Sequence, residues 1–158
     1  MKRWTCVKNI AGLDIYLICD DNIVYELTTT QPQMLEPGEL PEKLQYIADF
    51  LSDHTKKATI AEALKDFDLS WATSFQKNIY KALAEIPCGR TISYGKLAEL
   101  AGHPKAYRAV GSAMNKNRFM IALPCHRVIA AGGKIGGFAS GTENKKLLLK
   151  TEGIYDLR

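Results

Sequence analysis

Thr73-Ser74-Phe75-Gln76 carries the signature of a capped helix start. A hydroxyl side chain can take a first-turn amide, and an amide side chain three residues on can reach back. Phe75, Ile79, Leu83 and Ile86 then recur on one helical face, until Pro87 and Gly89 end the run. A helix delimited this sharply in mid-chain divides the sequence, because what precedes it is patterned differently. Residues 5–29 hold short β-type stretches, "TCVKNI" and "LDIYLICDDNIVYELTTT", the second with an Asp-Asn turn between Cys19 and Ile23 suited to a hairpin. A loop punctuated by Pro32, Pro37 and Gly38 follows, and Leu44, Ile47, Ala48 and Leu51 then take helical spacing, with Pro41 suited to the first turn. The pattern predicts an α+β chain with a boundary near residue 70. Residues 1–70 form a structural α+β domain, and residues 71–158 a mainly helical domain that holds the chemistry.

In the second half Ser93 can cap a helix containing Leu97, Ala98 and Leu100. "AGHPK" interrupts it, and Val110 and Met114 restart a helix at i, i+4 spacing. Helix, short glycine-containing turn, helix is the order of a helix-turn-helix, and also of many ordinary helical corners. Ala106, Ala109, Gly111, Ser112 and Ala113 surround Arg108. Such a slim helix suits either close packing on a neighbouring element or close approach to a DNA groove with one long cation projecting. The net charge of +4 splits unevenly, about −5 over residues 1–70 and +9 from residue 71 onward, which permits contact with nucleic acid.

The 158 residues, 46% apolar and 24% charged, are ordinary for a soluble globular protein. No apolar run approaches the roughly 20 residues of a membrane span, and the first residues lack a signal-peptide core. The expectation is a cytoplasmic, nucleoid-associated protein without membrane contact. Cys6, Cys19, Cys88 and Cys125 are irregularly spaced in a chain apolar enough to fold without staples, and they read as free thiols. No Cys-x-x-Cys pair marks a zinc site. Only a convergence in space of Cys6, Cys19, His54 and His103 could build one, so neither metal nor cofactor is expected.

"ALPCHRVIAAGG", residues 122–133, sets a thiol, an imidazole and a guanidinium side by side in an apolar run. A buried cysteine is normally a small hydrophobe. Partial burial beside a histidine and a positive field is also what turns a thiol into a nucleophilic thiolate. Adjacency complicates the second reading, since on an extended strand His126 would face away from Cys125; a relay needs a turn or a bridging water. Residue types alone leave both readings open. Cys88, in "EIPCGR", has no histidine beside it and reads as a loop or helix-end thiol.

Residues 75–153, "IPCGRTISYGKLAELAGHPKAYRAVGSAMNKNRFMIALPCHRVIAAGGKIGGFASGTENKKLLLKTEG" within them, resemble the catalytic domain of the O6-alkylguanine-DNA alkyltransferases, the methylated-DNA–protein-cysteine methyltransferases. Pro-Cys-His-Arg-Val, Arg-Ala-Val-Gly and Gly-Gly-Phe carry the likeness. The resemblance implies a ribonuclease-H-like N-terminal domain and a winged-helix-like C-terminal domain with a helix-turn-helix. It implies one irreversible transfer of an alkyl group from O6 of guanine, and from O4 of thymine, to Cys125 after base flipping in double-stranded DNA, by a monomer. His126 would act as base through a water, with Glu152 orienting it, and Tyr94 would donate toward N3 of the departing guanine. Asn117 would tie the turn around Cys125 to the helix-turn-helix. Met114, Val128, Phe138, Ala139 and Ser140 would line the base pocket. Arg108 would fill the vacated stack, with Ala106 giving close approach and Lys105 touching phosphate. Three positions depart from the family pattern: Arg118 stands where proline is usual, Tyr107 where a small residue is common, and Leu123, conservatively, where isoleucine precedes Pro-Cys. The competing readings are a non-catalytic binder of alkylated DNA, a helix-turn-helix regulator with a structural thiol, and a Cys-His hydrolase.

Overall fold

The β-type stretches at the start of the chain become a three-stranded antiparallel sheet, β1 (Arg3–Ile10), β2 (Leu13–Cys19) and β3 (Val24–Thr28), in that spatial order. The structure is a computed structural model that describes residues 1–56, 59–138, 140–155 and 157. The β1–β2 reversal places Ala11 and Gly12 at φ of 53° and 85°, the positive values that a two-residue hairpin turn demands. The second hairpin reverses at the Asp-Asn segment. Asp20 Oδ1 accepts from the backbone N–H groups of Asn22 (2.8 Å) and Ile23 (2.9 Å), while Oδ2 accepts from the Tyr25 hydroxyl (2.7 Å). Ile15, Leu17, Val24 and Leu27 give the sheet its buried face.

Pro41 opens a 3-10 turn, Glu42–Leu44, that leads into α1 (Gln45–Ser52), and Leu44 at its N-cap with Ile47 and Leu51 of the helix forms a fully buried stripe. The segment that follows is docked rather than loose. A 3-10 run over Ala61–Asp66 ends at Phe67, Asp68 N–H donates to Val24 O (2.8 Å), and the Phe67 ring stacks on Phe119 with centroids 4.2 Å apart. Leu27 N–H also donates to Arg118 O (2.8 Å), and one apolar core runs from the sheet through to the helices of the second half.

Helix α2 (Ser74–Leu83) begins with both halves of the capping box: Gln76 N–H donates to Thr73 Oγ1 and Thr73 N–H to Gln76 Oε1. Its buried Tyr80, which the periodicity of residues 75–86 passes over, donates its hydroxyl to Ala113 O (2.8 Å). Ser93 caps α3 (Tyr94–Leu100), Gly102 at φ 83° turns the chain, and α4 (Tyr107–Asn115) packs back on α3 and α2. Leu97 and Ala98 are buried, but Leu100, the last residue of α3, is 58% exposed because the turn of Gly102 takes the chain away from the core there. Two short strands, β4 (Ile92–Ser93) and β5 (Val128–Ile129), pair in parallel, and α5 (Thr142–Thr151) closes the fold. The architecture is mixed α and β. Among the described residues no helix is long and apolar enough to cross a membrane.

Candidate active site

Residues 119–128 wind into a buried knot between α4 and β5. Ile121 takes φ 70°, a conformation that costs a β-branched residue, and Leu123 N–H returns to Phe119 O (2.8 Å). Pro124 adopts φ −78° and ψ 65°, an inverse γ-turn in which Cys125 N–H donates to Leu123 O (2.7 Å). A single 3-10 turn over Cys125–Arg127 follows, with Arg127 N–H on Pro124 O. The turn takes these residues off the extended strand on which His126 would face away from Cys125. Cys125, His126 and Arg127 are all buried, and the imidazole and the guanidinium converge on one carboxylate.

That carboxylate belongs to Glu152, just beyond α5. His126 Nε2 lies 2.6 Å from Oε2, Arg127 donates through Nε to Oε1 (2.8 Å) and through its second amino group to Oε2 (3.1 Å), and Gly89 N–H reaches Oε1 at 3.3 Å. Burial by itself would raise the Glu152 pKa, but the hydrogen bonds from His126 and Arg127 outweigh it and hold the group down at about 2. Arg127 also donates to Ile86 O (2.7 Å), fastening the turn to the end of α2. With Nε2 engaged by the carboxylate, His126 Nδ1 is buried and has no hydrogen-bond partner among the described residues. Burial pulls the His126 pKa down while Glu152 pulls it up, and the net shift is downward.

The thiol of Cys125 is pushed up to about 11 by burial. Four influences oppose that rise: the Asn117 side chain, the charge of Lys145, and the backbone N–H groups of Cys125 and His126. Asn117 Nδ2 donates to Leu123 O (2.8 Å), and its Oδ1 accepts from Phe119 N–H (2.9 Å), which joins the end of α4 to the knot. Tyr94, at the first position of α3, is half-buried; desolvation and the neighbouring Cys125 raise its pKa, against a hydrogen bond with the Gly137 backbone. Its hydroxyl lies so near Gly136 that a Cβ there would approach to 2.9 Å, so glycine is required for that contact as well as for φ 75°.

A cleft of about 880 Å³ opens onto Cys125, lined also by Asn117, Arg118, Met120, Phe138, Ser140, Trp71 and the Glu26–Thr30 edge. Phe138 and Ser140 line the cleft along with Cys125, whereas Met114 (6% exposed) and Val128 (0%) are buried and do not line it. Ala139 lies outside the described residues. Lys105, just before α4, and Arg108, in its first turn, are exposed, and Ala106 is the residue just ahead of the helix; none of the three lines the cleft. Arg118 stacks over the Trp71 ring at 4.4 Å, at the rim.

The sequence of residues 74–154 matches the family model described as 6-O-methylguanine DNA methyltransferase, DNA binding domain. The chain belongs to the 6-O-methylguanine DNA methyltransferase family. Over 99 residues it is 52% identical to a methylated-DNA–protein-cysteine methyltransferase of Methanosarcina mazei, a match that covers 61% of this chain and 63% of that protein's length. It is 46% identical over 120 residues to the one from Methanosarcina acetivorans, covering 73% and 77%. Among solved structures, the OGT of Mycobacterium tuberculosis in complex with DNA aligns over 96% of this chain and 93% of its own, with TM-score 0.76 and 31% identity.

Two buried groups of this family member escaped the reading of its sequence. Lys145, 0% exposed, donates from Nζ to Val128 O (2.6 Å) and Gly137 O (3.1 Å), and burial lowers its pKa to about 8. Its position was legible: Lys145, Leu148 and Leu149 share one face of α5 at i, i+3, i+4 spacing, which places the lysine on the apolar side. His54, 4% exposed and just past α1, brings Nε2 to 4.0 Å from Glu152 Oε2 while Nδ1 meets Leu51 O (3.3 Å). A carbonyl only accepts, so the Nδ1 proton is fixed there and the Nε2 lone pair of neutral His54 faces the carboxylate. No sequence pattern announced that contact. The imidazole weighed as a possible zinc ligand points instead at the carboxylate that holds His126. Among the described residues no three His, Cys, Asp or Glu side chains gather in a metal-holding group.

Proposed function

We propose that this chain repairs DNA by transferring an alkyl group from O6 of guanine, and from O4 of thymine, irreversibly to Cys125. The observation that carries the reading is the sharing of one 3-10 turn by a cleft-facing thiol and a histidine anchored on a buried, ionised carboxylate. Glu152 orients His126 and leaves Nδ1 free to take the thiol proton through one water, because neighbours on the turn do not bond directly. The thiolate attacks the alkyl carbon in line, so an S–C bond forms as the C–O6 bond breaks and its electron pair stays on guanine. The base then takes up one proton. Tyr94 donates toward N3 and damps the charge that develops there, while Asn117 holds the turn in register with α4. A thioether has no ready leaving reaction, so each molecule acts once and needs no cofactor.

The target atom lies inside the duplex, so the base must leave the stack at a cost of about a few kcal/mol, less for a damaged pair. Helix α4 enters the minor groove, Arg108 occupies the vacancy, Ala106 permits the close approach, and Lys105 meets a phosphate. The flipped base then lies among Met114, Val128, Phe138, Ala139 and Ser140. Residues 71–158 constitute the DNA-binding catalytic domain, winged-helix-like in its helix-turn-helix, and residues 1–70 a ribonuclease-H-like support. The protein works as a monomer in the cytoplasm, on the nucleoid. A binder without transfer chemistry would have no use for the cleft-facing Cys125. Cys125→Ser should bind an O6-methylguanine duplex as the native protein does and restore no guanine. Normal transfer by the serine variant would overturn the mechanism.

A further inference from the structure

From Leu100 to Thr142 the chain has no acidic residue, and beside the buried, paired Arg127 it carries the exposed cations Lys105, Arg108, Lys116, Arg118 and Lys134. Helix α4 lies within this stretch, and its first turn presents two exposed long side chains, Arg108 and Tyr107. Of the rest of the helix, Ala109, Gly111, Ser112 and Ala113 are small, Val110 and Met114 face the core, and the exposed Asn115 stands at its far end. Tyr107 is the one aromatic residue of α4, and it is 52% exposed. A tyrosine ring usually contributes a large apolar area to a core or an interface. Here the ring packs on no core. It lies instead with the Arg108 guanidinium 5.9 Å from its centroid, so the two planar groups stand together on a face whose charge suits a polyanion.

We propose that Tyr107 is a second DNA-unstacking residue, a ring that packs on the base step beside the one Arg108 enters. The inference rests on the placement of α4 in the minor groove given above. A guanidinium alone fills the gap left by a flipped base but covers little of the neighbouring step. A ring beside it supplies an apolar plane on which an exposed base face can rest, an interaction indifferent to sequence because every base has such a face. Flanking alanines and glycine keep the backbone near the groove, so both planes can reach the bases. A small residue in place of Tyr107 would leave Arg108 to hold the gap unaided.

The test compares single-turnover transfer from one O6-methylguanine oligonucleotide, presented as duplex and as single strand. The proteins are the native chain, Tyr107→Ala, Tyr107→Phe and Tyr107→Leu. In a single strand the target base is not held in a duplex, so a residue that acts by unstacking has nothing to contribute there. Tyr107→Ala should slow transfer from the duplex about tenfold, the order expected for loss of one base–ring stack, and leave the single-strand rate unchanged. Tyr107→Phe should match the native chain on both, and Tyr107→Leu should resemble alanine. Native-like duplex transfer by Tyr107→Ala, an equal loss on both substrates, or full recovery by leucine would overturn the proposal. If the native chain itself transfers from neither substrate, the alkyl-transfer reading falls first.

Discussion

Replacing Lys145 with methionine tests whether the buried ammonium behind the knot assists the thiol. The two side chains are similar in length, so the change removes a charge and two hydrogen bonds with little loss of packing. Nζ donates to Val128 O and Gly137 O at 2.6 and 3.1 Å, and at about 1.5–3 kcal/mol for each charge-assisted bond their loss costs about 3–6 kcal/mol. Burial, however, lowers the lysine from 10.5 to about 8. At about 1.4 kcal/mol per unit, holding the proton there costs the fold about 3 kcal/mol, a burden methionine does not carry. The net destabilisation is therefore about 0–3 kcal/mol, which a domain of ordinary stability survives. The thiol responds more sharply. With its pKa at about 11, roughly one thiol in three thousand is ionised near pH 7.5, and each further unit upward reduces that fraction about tenfold. Single-turnover transfer measured between about pH 6 and 10, beside urea unfolding, separates the two effects. The variant should unfold at a slightly lower urea concentration and transfer more slowly at neutral pH, by about tenfold for each unit the thiol pKa rises, and the gap to the native chain should close above about pH 8, where the native lysine itself loses its charge. A variant whose rate and profile match the native chain would refute the electrostatic role of Lys145.

Acid should unfold the protein in two stages. Burial holds His54 and His126 below their ordinary 6.5, so the unfolded chain binds more protons than the native one and stability declines as pH falls below that value. Glu152, held at about 2 against an ordinary 4.5, contributes stability that is complete above 4.5 and disappears as pH falls toward 2. Urea midpoints recorded at descending pH should show both slopes, and His54→Asn should flatten the first; an unchanged first slope would contradict burial of a neutral His54. Gly136→Ala forces a side chain onto a backbone at φ 75° and brings its Cβ to within 2.9 Å of the Tyr94 hydroxyl. The strain of about 1–2 kcal/mol should appear in thermal unfolding, and the displaced hydroxyl should slow transfer; a native rate would argue that Tyr94 has no part in the chemistry.

The elements with local signals were legible before the fold was. Thr73 and Gln76 announced α2, the Asp-Asn segment between Cys19 and Ile23 announced the second hairpin, and Ser93 announced α3, because each of those devices is completed within a few residues. What depended on distant pairing was not legible. The parallel contact of Ile92–Ser93 with Val128–Ile129 joins segments some 35 residues apart, and neither is long enough to show an alternating pattern. The same limit applies at the site. Cys125 and His126 stood out as neighbours, but whether they could cooperate depended on a γ-turn and a 3-10 turn that no residue type dictates. Arg127, whose guanidinium the sequence set beside the thiol, holds Glu152 with two hydrogen bonds. His54 stayed hidden because its meaning arises only when the end of α1 reaches Glu152, nearly a hundred residues along the chain.

The central claim is that one thiol, Cys125, takes one alkyl group and keeps it. Intact-mass measurement after incubation with an O6-methylguanine oligonucleotide, followed by peptide mapping, tests it most directly. The account predicts a gain equal to one methylene, saturating at one per protein molecule however much oligonucleotide is added, and confined to the peptide that carries Cys125. A gain on the Cys88 peptide instead, or guanine restored repeatedly with no lasting gain in protein mass, would contradict it.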